Sequence, residues 1–157
     1  MIYIFAALLF VSLVWLAYVD IKTFRLPNVI TLPLAIIGIV QAHFLDMRIL
    51  ESLLGLAFGY IFFFLVEVIF KRVRKKDGLG RGDAKLLAAG GAWCGLAFIP
   101  QIILIASLTA IIGHLALMAK ASAGGRKAEP RMAFGPFLAL SIMSVWTYRN
   151  FFSGALG

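Results

Sequence analysis

Cysteine is almost absent. Cys94 is the single one in 157 residues, which excludes an internal disulfide and any multi-cysteine zinc site. Acids are scarce too: seven Asp and Glu stand against fifteen Lys and Arg, a net charge of +8. The apolar runs do not alternate with polar residues, so a membrane β-barrel is excluded as a pattern. No internal repeat or low-complexity tract appears, and the inverted repeats that would support a transporter are missing. The opening MIYIFAALLFVSLVWLAYVD has no basic n-region and no small-residue cleavage site. It reads as a retained membrane helix rather than a signal peptide. GLGRGDAK lacks the Gly-Lys-Ser/Thr ending of a phosphate loop and follows no strand.

What remains is hydrocarbon. Hydrophobic residues make up 62% of the chain, with a mean hydropathy of +0.99, whereas soluble domains sit nearer half. The expected class is an all-α integral membrane protein, and the length suits one membrane-embedded domain over 1–157. In a soluble protein the positive balance would suggest nucleic acid. Here it reads as cytoplasmic loops facing anionic lipid, with no nucleic-acid partner.

A spanning helix needs about 20 apolar residues. Five apolar stretches qualify as candidates: Ile2 to Val19, Val29 to Phe44, Leu50 to Phe70, Leu86 to Ala119, and Met132 to Thr147. The fourth has no charge for 34 residues. As one helix it would rise roughly 50 Å against a hydrocarbon core of about 30 Å, so it must fold back, and Gly95 and Pro100 supply the turn. Six spans result. With alternating sides, thirteen of the fifteen Lys and Arg fall on one side, leaving Arg48 and Arg149 on the other. The rich side is expected to be cytoplasmic, with both termini extracytoplasmic.

This topology puts two acids at matched depth. Asp20 ends the first span and Asp83 opens the fourth, both at the cytoplasmic face. If those spans pack together, the carboxylates can share one proton, as in aspartic proteases. One acid would take a proton from water while the other polarises a carbonyl. The alternative is a pair of juxtamembrane acids neutralised by Lys22 and Lys85. Around Asp83, the glycines Gly80 and Gly82 permit close backbone approach, and the Ala/Gly-rich run that follows suits close helix packing. Glu67, near the cytoplasmic end of the third span, could pair with a basic group or tune the acids. Asp77 reads as a loop-capping or accessory acid. His43 and His114 lie on opposite sides of the midplane and do not suggest a shared metal, and Cys94 reads as packing.

Three segments then converge. GLGRGDAKLLAAGGAWCG resembles the GxGD signature of type IV prepilin leader peptidases. VDIKTFRLPNVITLPLAIIGIV resembles that family's first-aspartate region, and MAFGPFLALS its C-terminal PFGPFLAL segment. The resemblance implies a membrane aspartic endopeptidase that removes basic leaders from prepilins or pseudopilins at the cytoplasmic face of the bacterial inner membrane. Carried over by position, the catalytic pair is Asp20 and Asp83, and the active-site loop includes Gly80, Gly82 and Lys85, with Glu67 and Asp77 as accessory candidates. No metal or cofactor is implied. Many family members carry an N-terminal extension with paired CxxC motifs and an N-methylation activity, which this sequence is expected to lack. An archaeal-type preflagellin peptidase and a non-catalytic membrane scaffold or transporter are the competing readings.

Overall fold

The computed structural model describes residues 1–45, 48–74, 81–123 and 133–152, and among these every regular element is helical. In chain order they are α1 (Ile2–Thr23), α2 (Asn28–Phe44), α3 (Ile49–Arg74), α4 (Arg81–Cys94), α5 (Ile99–Ala123) and α6 (Gly135–Thr147). A 3-10 turn, Leu96–Phe98, precedes α5, and a π-helical turn, Tyr148–Phe152, follows α6. Three segments are long and apolar enough to cross a membrane: Ile2–Thr23, Ile49–Arg72 and Leu96–Ala119. α2 is a shorter apolar helix.

The boundaries follow from local chemistry. α1 ends at Phe24, which adopts a left-handed conformation with φ 53° and donates its N–H to Asp20 O. Pro27 then caps α2 in extended conformation, and a ring with φ fixed near −65° is well suited to a helix start. The predicted reversal after α4 is present. Gly95 has φ 90°, a conformation that side-chain-bearing residues rarely adopt, while Pro100 sits at the second position of α5, where its missing N–H leaves no bond unmade.

α4 is the central helix. Apart from Lys85, all its residues from Asp83 to Cys94 are buried, and it packs against α3, α2 and α6. Its Ala and Gly residues make this possible, because small side chains let helix backbones approach. The tightest approach is to α3. A Cβ on Gly91 would collide with the Gly55 carbonyl, and one on Gly55 with that of Gly91. α1 and α5 instead lean on α6 and expose long apolar side chains such as Phe10, Val14, Leu104 and Leu108, the pattern of a lipid-facing surface.

Six α-helices match the expected number among the described residues, and two of them are short, the fourth as the turn at Gly95 requires. α4 has 14 residues, a rise of roughly 21 Å, and α6 has 13. Direct packing of spans one and four was the condition for the two acids to face each other. The two helices touch through side chains, Phe5 against Trp93 at 6.4 Å between ring centroids, but each docks mainly on other helices and both share α6. Leu9, Leu13 and Leu16 are the buried apolar residues of α1. Tyr3 lies 6.3 Å from Phe151 between ring centroids, so both described termini occupy the same end of the bundle.

Candidate active site

Every described candidate residue lies at the end of the bundle opposite those termini. Asp20 sits in the last turn of α1 and is 5% exposed. Its Oδ2 accepts the N–H of Gly135, the first residue of α6, at 2.9 Å. That N–H belongs to the first turn of a helix, where amides lack intrahelical partners and favour negative charge. The glycine leaves room for the bond, since a Cβ there would lie 2.5 Å from Asp20 Oδ2. Lys22 is not the partner of Asp20: its amine lies over the Tyr18 ring, 5.7 Å from the centroid.

Asp83 is buried in the first turn of α4. Three contacts bind that turn to the Asp20 end. Gly82 lies against Leu26 of the α1–α2 connection, so that a Cβ on it would come within 2.9 Å of the Leu26 Cβ. Lys85 Nζ donates to Asn28 Oδ1 at 2.6 Å. Arg81 reaches Glu67 on α3 at 3.5 Å. The end of α1, the start of α2, the end of α3 and the starts of α4 and α6 thus lie at one end of the bundle, which carries both aspartates.

Gly82 and Lys85, expected in a loop, lie in the first turns of α4. Helix formation begins at Arg81, so the acid is held on rigid backbone. Gly80 and Asp77 fall outside the described residues. Glu67 is 5% exposed and is shared by Arg81 and Lys71, both at 3.5 Å. Its Oε2 has no hydrogen-bond partner among the described residues. No group of three or more His, Cys, Asp or Glu that could hold a metal occurs among the described residues.

Sequence reasoning missed Gly135 as a partner of Asp20. It also missed a polar cluster at the far end of α4, where carbonyls at a helix C-terminus need partners. Ser52 Oγ donates to Ala92 O at 2.7 Å, and Gln41 Nε2 and Arg149 Nη1 both donate to Trp93 O, at 2.8 and 3.1 Å. Gln41 Oε1 in turn accepts from Trp146 Nε1 at 3.1 Å. A signal existed: Gln41 is an uncharged polar residue inside an apolar run, and such groups need partners when buried. Cys94 is buried beside this cluster with Sγ 3.8 Å from Ile142 O, in keeping with packing.

Comparison with known proteins adds to this geometry. No solved structure matches the chain. Residues 7–115 match the type IV leader peptidase family. The prepilin leader peptidase/N-methyltransferase of Xanthomonas campestris is 42% identical over 140 residues, covering 88% of this chain and 47% of that protein. The Pseudomonas aeruginosa protein of the same name is 38% identical over 132 residues, covering 83% and 44%. That of Escherichia coli K12 is 38% identical over 139 residues, covering 87% and 59%. The chain spans about half the length of these curated relatives. With the family match extending over most of its residues, the chain belongs to the type IV leader peptidase family.

Proposed function

We propose that this chain is an aspartic endopeptidase of the bacterial inner membrane. It cleaves the basic leader of type IV prepilins or pseudopilins at the cytoplasmic face, with Asp20 and Asp83 as the catalytic pair. The observation that carries the reading is the burial of both acids at one end of the bundle, on helices far apart in sequence. Exposed cations at that end, among them Lys22, Arg25 and Arg72, fit a cytoplasmic leaflet rich in anionic lipid. Both termini would then lie on the extracytoplasmic side.

In the proposed reaction the two carboxyls hold one proton between them, because close like charges disfavour double ionisation. The ionised acid removes a proton from a water molecule as that water attacks the scissile carbonyl. The protonated acid hydrogen-bonds the carbonyl oxygen and transfers its proton as the tetrahedral intermediate forms. Collapse breaks the C–N bond, and a proton passes to the leaving amine. The Gly135 N–H on Asp20 fixes the orientation of that carboxyl for either role. Asp20→Asn and Asp83→Asn variants, co-expressed with a type IV prepilin and read by the mass of the pilin, test the reading. Both must insert and fold yet leave the leader attached. Leader removal by either variant would refute the pair, and unchanged assembly in both would favour a scaffold.

A further inference from the structure

α1 and α4 carry the two aspartates, yet each docks mainly on other helices. A third element must therefore fix where one acid stands relative to the other. The connection from Phe24 to Pro27 is bonded in both directions. Toward α1, Phe24 N–H donates to Asp20 O at 2.8 Å, and Thr23 Oγ1 lies 2.9 Å from Val19 O and 3.1 Å from Arg25 O. Toward α4, the buried Leu26 lies against Gly82, the residue before Asp83. The link itself is stiff. Phe24 is left-handed at φ 53°, and the ring of Pro27 holds it at φ −71°, which leaves few alternative paths.

Asn28, the first residue of α2, completes the connection. Its Oδ1 accepts from Lys85 Nζ at 2.6 Å. An ammonium has donors only, so the amide oxygen is the half of Asn28 that can meet it, and such charge-assisted bonds are the stronger kind. Lys85 stands two residues after Asp83, and side chains at that spacing do not face each other on a helix. The bond thus ties down the opening of α4 from the side opposite the acid. It joins residues 57 apart in sequence.

We propose that Asn28 is a positioning residue for Asp83. Acting through Lys85, and alongside the Leu26 contact, it keeps the opening of α4 in register with the end of α1 and so sets the spacing of the two carboxyls. The inference rests on the peptidase reading and adds what aligns the pair. Asn28 needs no contact with substrate for this role.

The experiment uses the chain in bilayers and a type IV prepilin, with leader removal read by mass. Asn28→Ala removes the acceptor. It is expected to lower kcat about tenfold with KM within about twofold of wild type, and to leave the melting temperature nearly unchanged. Asn28→Asp keeps an oxygen for Lys85 and should return kcat to within about twofold of wild type. Lys85→Met removes the same bond from its other side, so adding Asn28→Ala to it should lower kcat no further. Wild-type kcat in Asn28→Ala, a loss confined to KM, unfolding of that variant, failure of Asn28→Asp to rescue, or additive losses with Lys85→Met would each overturn the positioning role while leaving the peptidase reading intact. A wild-type chain that leaves the prepilin uncleaved would refute the peptidase reading itself, and the role of Asn28 with it.

Discussion

The two ends of α4 handle polar groups in opposite ways. At the Trp93 end, Gln41, Ser52 and Arg149 come from three other elements to occupy the last carbonyls, and Trp146 completes the Gln41 amide. At the Asp83 end, the described residues give the Asp20 carboxylate one hydrogen bond, from Gly135, and leave Glu67 Oε2 without one. A carboxylate can accept about four. One end uses its hydrogen-bonding capacity for stability, because a buried unsatisfied group costs about 1–3 kcal/mol. Among the described residues the other leaves Asp20 and Glu67 with acceptor capacity to spare, which on the proposed reading would serve a water and a peptide carbonyl. Substitutions at the acid end should therefore reduce turnover at constant stability, and those at the Trp93 end should do the reverse.

The sharpest expression of that contrast is the aspartates. Asp20→Asn and Asp83→Asn should each lower leader cleavage about 10³-fold or more, with a melting temperature in detergent within a few degrees of wild type. If either variant unfolds, the acid end is structural and the contrast disappears.

Gly135→Ala comes next. Its Cβ would sit 2.5 Å from Asp20 Oδ2, and the carboxylate must move. Displacement of a reacting group by an ångström costs on the order of 10²-fold, so kcat should drop by about that much in a mass-based cleavage assay while the fold persists.

At the opposite end, Gln41→Ala leaves Trp146 Nε1 without its acceptor and removes one of the two donors on Trp93 O. Thermal unfolding should register a loss of about 1–3 kcal/mol, and kcat per folded molecule should hold within about twofold. A large loss of turnover at unchanged stability would erase the distinction between the ends.

Glu67→Gln should have the smallest effect. Arg81 is 76% exposed and both ion-pair distances are 3.5 Å, so solvent screens the pairing and its loss is worth under about 1 kcal/mol. Cleavage should change no more than a few-fold. A drop comparable to that of the aspartates would make Glu67 a third member of the site.

Hydropathy located the helices because the residues that face outward are as apolar as those that face in. Charge asymmetry placed Asp20 and Asp83 at one end, and Gly95 marked the turn. The partners were harder to read. Asp20 and Gly135 are 115 residues apart, and nothing in the local pattern of FGPF says which carboxylate its amide will meet. Matched depth alone left open whether the first and fourth spans pack together. Depth fixes where along the bundle a residue lies but not which helix stands beside it, and α1 and α4 both pack on α6. Lys85 next to Asp83 resembled a charge partner, yet helix geometry turns it toward Asn28.

The brevity of α4 is a matter for the protein around it, because the helix is enclosed by α3, α2 and α6 and, Lys85 apart, is buried from Asp83 to Cys94. A rise of roughly 21 Å is less than a hydrocarbon slab of about 30 Å, while α3 has 26 residues and rises roughly 39 Å. A short helix beside a long one leaves a step inside the bundle, walled by protein, in which polar groups need not meet acyl chains. On the proposed reading that step lies beside the two acids and admits water, and cleavage should vary little with the chain length of the surrounding lipid.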